Sequence, residues 1–404
     1  MINRLALLTL VTMAGALCGA ADAEERADRG SSGPPTKPLA VDCARGDTIS
    51  GALAQHANRT LVVEVSGTCV ENVAIRRSDV TLRGVAGAEI VGTVAVESAA
   101  RIALEALTLR NSSAQGLNIV RASEVTARDL TVRNQPREGI VLSDNSTLTG
   151  SNLTLEQNVS HGIRVRGSSH LSLSGQVLAR SNGGAGVLID LGSSLLGGAL
   201  VLDASNNFAG LVVQGSMAQL QNTQLTASNN SFTGVLIRDR SQLFLGTSQL
   251  TIKNNAFSGM TAAMGSNIAN FLGATSTALV ADNANFGVFV NTSSYFNTAG
   301  GLNITITNNA VTGLNADNGN LEIKGVTSTG NGPGGDVAFA FTSRAKSVGV
   351  NTLGVTVCDG TETLIALACS PLTAAQSALI EAARERGARA EEAFNGSLGE
   401  AFSD

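Results

Sequence analysis

The chain has 404 residues, no Trp and a single Tyr, Tyr295; aromatic residues make up only 3 % of it. Grooves that cleave sugars use aromatic faces as platforms, and this chain has few to offer. Charged residues are also sparse, at 15 %, and the formal net charge is −5. A mildly acidic balance without a basic patch excludes a nucleic-acid partner. Beyond the N-terminal run, no stretch is long and apolar enough to span a bilayer. There is no adjacent Asp-Asp pair, no Asp-Pro-His and no clustered Asp set that would hold calcium, so no metal or other cofactor is expected.

What the chain does have is a repeat. An apolar strand-like segment ends in Asn, and a few residues later comes Gly followed by an aliphatic-x-aliphatic triplet. The glycines are Gly116, Gly139, Gly162, Gly186, Gly210, Gly234, Gly259, Gly287, Gly313 and Gly335, at steps of 23, 23, 24, 24, 24, 25, 28, 26 and 22 residues. Asn158, Asn182, Asn206, Asn230, Asn255, Asn283, Asn309 and Asn331 each lie four residues before a Gly; Asn111 and Asn134 lie five before theirs. A period of this length means a stacked, quasi-one-dimensional architecture. Both sides of the turn alternate with period two, as in Leu153-Thr154-Leu155 and Gly162-Ile163-Arg164-Val165, which argues strand rather than helix. A leucine-rich repeat needs a helical half after the Asn, and here another strand follows. Calcium-binding β-rolls need G-G-x-G-x-D, which is absent. The reading is an all-β solenoid: a single-stranded parallel β-helix, right-handed as parallel crossovers are, with an N-terminal capping helix and a C-terminal α-helix.

From about Val63 to Val357 the pattern resembles the right-handed parallel β-helix repeat proteins of the pectin-lyase-like superfamily. The resemblance implies that the repeated Asn side chains stack at a tight bend and satisfy one another and the backbone. It implies that the glycines supply the backbone freedom of that bend. Phe208, Phe232 and Phe257, two residues before consecutive glycines, are expected to stack inside the core.

Residues 1–23 read as a secretory signal: Asn3-Arg4, an apolar run from Leu5 to Leu17, and Ala21-Asp22-Ala23 as cleavage site. Cys18 follows Leu17, where a lipid-anchor signal requires a small residue, so no lipid anchor is read. Residues 24–40 read as a flexible linker, 41–370 as the β-helix with its caps, and 371–404 as a C-terminal helical segment. Asp47-Thr48 ahead of Ile49, Leu53 and His56 marks a short amphipathic helix closing the first coil, with His56 a surface or interface residue. Cys43, Cys69, Cys358 and Cys369 imply two disulfides. Three pairings are open; Cys43–Cys69 and Cys358–Cys369 are favoured because each staples one end. Sequons fall on ladder positions (Asn111-Ser112-Ser113, Asn158-Val159-Ser160), where a glycan has no room. A bacterial exported protein, periplasmic or extracellular, is therefore expected.

Aligning the coils stacks Glu138 beneath His161, with Arg164 and Arg166 on the same outward face and Arg137 nearby. Coils lie roughly 4.8 Å apart, so a carboxylate this close would favour protonated His161. Several relatives by resemblance cleave or epimerise acidic polysaccharides. Their chemistry would make His161 the base, Arg164 and Arg166 the carboxylate clamps, and Glu138 the residue that orients His161. The family's activity motifs are missing, however. Ser160-His161-Gly162 and Arg164-Val165-Arg166 resemble polygalacturonase elements at the wrong spacing, and the Asp-Pro-His of mannuronan epimerases is absent. Above Arg164 the outward row continues as Leu188, Val212 and Leu236. Such an aligned apolar stripe needs a cover: the segment after Pro371, an inserted loop, or a partner, including a second copy. The functional expectation is an exported, non-catalytic module that binds polysaccharide or a cell-envelope component. The alternative is a polysaccharide lyase or C5-epimerase acting on an acidic polysaccharide.

Overall fold

A computed structural model describes residues 37–55, 60–85 and 87–400. The proposed signal segment, His56 and most of the proposed linker lie outside the described residues. The strand content begins inside the segment read as linker, because Leu39–Asp42 pairs in parallel with the strand Leu61–Ser66.

Each coil carries three strand faces, and every pairing between coils is parallel. Two faces belong to a 24-stranded sheet, and the third forms a separate 14-stranded sheet. The chain is an all-β, right-handed solenoid of about 13 turns. In the middle coils the first two faces are one long strand bent at a single left-handed residue. Glu124–Arg133 bends at Asp129 and Thr147–Glu156 at Asn152, with φ of 53° and 52°. Alternate residues point inward, giving an aliphatic interior of Leu148, Leu153, Leu155, Ile163, Val165 and their equivalents. The outer face of the N-terminal coils carries ion pairs between successive coils, such as Arg101–Asp79, Arg83–Glu105 and Arg110–Glu89.

The Asn ladder is present, with a corrected register. Each bend uses two residues: a left-handed one, then the ladder residue. Gln157, Ser181, Asn229, Asn254 and Asn308 take positive φ. The side chains of Asn158, Asn182, Asn230, Asn255, Asn283, Asn309 and Asn331 that follow such bends form the ladder. The coil before Gly210 has two consecutive Asn, and the inner one is Asn207. Asn182 N–H and Nδ2 both donate to Asn207 Oδ1, at 2.9 and 3.1 Å. Asn206 instead is the exposed left-handed residue, φ 59°. The same shift explains the early offset of Asn111 and Asn134: both are left-handed residues, and Ser112 and Gln135 hold the ladder positions.

The repeated glycines are explained by space, not by backbone freedom, because those from Gly116 to Gly313 have no positive φ. A Cβ on Gly234 would lie 2.8 Å from Gly259 O and 2.9 Å from Asn255 Nδ2, so only Gly lets the ladder amide approach. Gly335 does not hold this position. Asp336 does, pairing above Gly313, and its carboxylate closes the ladder by accepting from Asn331 N and Nδ2.

A second ladder at the opposite bend is absent from the sequence reading. Ser123, Ser146, Ser169, Ser193, Ser216, Ser241 and Ser266 each present Oγ to the backbone N–H one coil below, and Ser294 does so for Ser266. Its signal was available: most of these Ser follow the repeated Gly by seven residues.

A helix closes the N-terminal end, and each end carries a disulfide. Helix α1 (Ile49–Gln55) buries Ile49, Ala52 and Leu53 over the first coil. Its free N-terminal N–H groups donate to the Glu71 carboxylate, at 2.7 and 3.0 Å. Cys43–Cys69 and Cys358–Cys369 are disulfides, the two local pairings favoured above.

Helix α2 (Ala374–Glu400) starts at a capping box: Gln376 N donates to Thr373 Oγ1, and Thr373 N to Gln376 Oε1. At 1.5 Å per residue its 27 residues reach about 40 Å. That length spans about eight coils, and α2 uses it to run back along the outer face of the 14-stranded sheet. Its contacts progress from Pro333 through Asp317, Asn285, Phe257 and Arg238 to Phe208 and His161. The apolar stripe is thereby covered: Leu188, Val212 and Leu236 are buried with Ile380, Ala383 and Phe394 in one cluster. In the intact chain the stripe is occupied by α2 and not free for self-association. The same cluster corrects the aromatic ladder. Phe208, Phe232 and Phe257 do stack, with centroids 5.5 and 5.3 Å apart, but outside the solenoid interior, between sheet and helix. The interior at these coils is filled by aliphatic side chains, and the rings point outward, where only α2 gives them cover.

Gly387 lies where α2 crosses this stack, although glycine inside a helix is disfavoured against alanine. A Cβ there would meet the Phe257 ring at 2.3 Å. Gly387→Ala gains about 1 kcal/mol of helix propensity. It also forces a ring locked between neighbours to move, at about 1–3 kcal/mol. The expected result is a lower thermal midpoint in calorimetry, whereas propensity alone would raise it.

Candidate functional site

His161, Glu138 and Arg164 do come together, at the point where the far end of α2 meets the sheet. Arg164 is the middle residue of the strand Ile163–Val165, stacked between Val141 and Leu188. Its side chain therefore leaves the solenoid core but enters the layer beneath the helix, and it is 1 % exposed. It donates to Asp190 Oδ2 through Nη2 at 2.9 Å and Nε at 3.2 Å, and its Nη1 lies 3.8 Å from Glu138 Oε1. Glu138, His161 and Asp190 are also buried. Arg166, one coil position below Asp190, is half-buried and adds its charge to that carboxylate.

This geometry corrects two expectations. Glu138 pairs with Arg164 and does not orient His161; the His161 Nδ1 accepts from the Ala185 N–H at 2.8 Å. The His161 ring sits edge-on to Phe394, centroids 6.1 Å apart. His161 is not favoured as a cation. Burial, aided by the Arg164 charge, pushes its pKa down to about 3. A nearby carboxylate raises a His pKa only when desolvation does not outweigh it, and here the carboxylate is already committed to arginine. Burial likewise pushes the Asp190 carboxyl up, against the pull of Arg164. Glu138 Oε2 and Asp190 Oδ1 have no hydrogen-bond partner among the described residues. Sequence reasoning missed Asp190 as the chief partner of Arg164, because the two lie on different coils and at different outward positions.

The buried imidazole has a measurable consequence. Unfolded, His161 titrates near 6.5; native, near 3. Between these values the unfolded chain binds a proton that the native protein does not, so stability falls as pH drops through this window. The slope from this residue approaches ~1.4 kcal/mol per pH unit. His161→Leu is expected to flatten the difference in stability between pH 6.5 and 4, read by denaturant titration at each pH.

Two groups of three potential metal ligands occur among the described residues, Cys43-Cys69-Glu71 and Cys358-Glu362-Cys369. Each contains a disulfide, so its sulfurs are not thiolates.

On the other side of the solenoid, the 24-stranded sheet carries an open groove of about 740 Å³. Gln249, Thr251, Thr277, Leu279, Asn303, Thr305, Thr327 and Thr352 line it, and no charged residue does.

The family model described as "Right handed beta helix region" matches residues 48–199. No curated protein matches the sequence. Among solved structures, the chain is similar to the A-module of Azotobacter vinelandii mannuronan C-5 epimerase AlgE4, at 14 % identity and TM-score 0.45, covering 81 % of this chain and 94 % of that one. The AlgE6 A-module from the same organism is 15 % identical at TM-score 0.39, with 80 % and 95 % covered. Tailspike protein 2 of Escherichia coli O157:H7 bacteriophage CAB120 is 11 % identical at TM-score 0.38, with 83 % and 42 % covered. Likeness at this level carries no assignment of activity.

Proposed function

We propose that this parallel β-helix repeat protein is an exported, non-catalytic module that binds a polysaccharide or another cell-envelope component. One observation carries the reading: its densest set of reactive side chains is closed and internally neutralised beneath α2. A general base must reach the proton it removes, yet His161 is 2 % exposed, hydrogen-bonded through Nδ1 and packed on Phe394. A carboxylate clamp needs donors to spare, yet Arg164 lies between Asp190 and Glu138.

Export is part of the proposal. Residues 1–23 act as a cleaved signal, 24–40 as a linker whose last two residues already enter the first strand, and 371–404 as a helical strap on the 41–370 solenoid. Two disulfides fit an oxidising periplasm or exterior. No helix among the described residues is long and apolar enough to cross a membrane.

The test is direct. Incubation with alginate, pectate and glycosaminoglycans is expected to give no ultraviolet-absorbing unsaturated product and no epimerised residues by NMR. A glycan array should give binding. Turnover that disappears in His161→Ala would overturn this reading and install the lyase or epimerase alternative.

A further inference from the structure

Resting on the module reading above, we propose that the groove from Gln249 to Thr352 is the glycan site, and that its ligand is an uncharged polysaccharide lying along the solenoid axis.

Thr226, Thr251, Leu279, Thr305, Thr327 and Thr352 occupy one outward position on successive coils, and Gln224, Gln249, Thr277 and Asn303 occupy a second position beside it. Successive rungs lie roughly 4.8 Å apart. The two rows therefore offer the same chemistry repeatedly in one direction, which suits a polymer of repeating units.

The chemistry is neutral. Nearer the N-terminus the neighbouring row of this face carries Arg110, Arg133, Glu156 and Arg180, and Asp203 lies directly below Thr226, joined by ion pairs such as Arg180–Glu156 and Arg180–Asp203. From Gln224 onward these two rows hold no charge, and the groove lining has none; Lys253 lies one position outside it. An acidic chain would find no cation in the groove, while sugar hydroxyls would find hydroxyl and amide groups that both donate and accept. Among the described residues, the side chains of Gln249, Thr251, Thr277, Asn303, Thr305 and Thr327 make no hydrogen bond to another protein group. Their capacity is open to a ligand.

Organisation favours binding as well. Threonine is stiff at χ1, so fixing these hydroxyls against a ligand loses little side-chain entropy. The threonine methyls and Leu279 give the C–H faces of a sugar an apolar floor. A protein partner fits less well, because the energetic anchors of protein interfaces are Trp, Tyr and Arg, and the lining has none.

The test uses the full chain in isothermal titration against malto-, cello- and laminari-hexaose as neutral probes, with oligogalacturonate and oligomannuronate as acidic ones. The wild type is expected to bind at least one neutral probe. The double variant Thr251→Glu/Thr305→Glu should weaken that binding at least tenfold. Thr251→Val/Thr305→Val, which keeps the shape and removes two hydroxyls, should weaken it similarly with an unchanged circular dichroism spectrum. Thr154→Glu, on the same face outside the groove, should leave it unaltered. Neutral binding that survives both double variants would move the site elsewhere and leave the module reading standing. Binding of acidic probes alone would overturn the ligand class. Binding of none, with the glycan array also blank, would overturn the module reading itself.

Discussion

Truncation before Thr373 is expected to leave a folded solenoid that binds hydrophobic dye and self-associates. The protein has two separate cores. The interior of the coils is closed by its own aliphatic side chains, from Val41 to Cys358. The outer cluster exists only because α2 lies on the sheet: Phe394, Ile380 and Ala383 meet Leu188, Val212, Leu236, Phe232, Phe257 and Phe289. Burying a side chain of this kind contributes about 1.5–3 kcal/mol, and losing the helix exposes several on one continuous face. Monomeric proteins rarely tolerate an apolar patch beyond a few hundred Å². The cut falls after Cys369, so both disulfides survive. Far-ultraviolet circular dichroism should keep its strand signal, while light scattering and dye fluorescence rise. Truncation also removes Phe394 from His161 and Glu391 from Arg238. The imidazole should then titrate closer to its ordinary 6.5, visible by NMR. A monomeric, dye-negative truncation would show that the stripe needs no cover.

The second large effect separates two neighbouring asparagines. Asn207→Ala is expected to cost about 3–5 kcal/mol, and Asn206→Ala about 1. Asn207 Oδ1 accepts two hydrogen bonds from Asn182, and its Nδ2 donates to Ala179 O at 2.8 Å. Alanine leaves those groups buried without partners, and each orphan costs about 1–3 kcal/mol. Asn206 is exposed and makes no rung; what it supplies is tolerance of φ 59°, where alanine is disfavoured by about 1–2 kcal/mol. Stacked repeats need not unfold in one step, so the comparison is best read as the first unfolding midpoint in denaturant. Equal midpoints for the two variants would overturn the register.

The register error shows how far a linear reading reaches. Counting four residues back from Gly finds the ladder wherever the bend has constant length, as at Asn158, Asn182 and Asn230. It fails at Asn206 because this coil has one residue fewer between its ladder Asn and its Gly, and only the inward direction of the side chain decides between two adjacent Asn. It fails at Gly335 for the opposite reason: the last bend is irregular, and Asp336 closes the row. The serine ladder had the same periodicity as the glycines and was legible in principle, but serine is common on an exposed surface and its repetition did not stand out.

The candidate site was legible as a neighbourhood and not as a state. Coil alignment alone stacks Glu138, His161 and Arg164, because register between parallel strands follows from the repeat. Whether that stack faces water or a helix depends on a segment more than 200 residues later in the chain. The reading of 371–404 as helical foretold that a helix forms; it did not foretell that Phe394 reaches His161. Burial then set the chemistry, taking His161 from the expected cation to a neutral ring and committing Arg164 to Asp190. The repeat was enough for the solenoid, because a repeated local pattern can be satisfied only by stacking on copies of itself; the four cysteines left three pairings open, and the folded ends settled the two local ones. Tertiary structure alone decided which face is dry, since desolvation is a property of what covers a residue and not of the residues beside it in the chain.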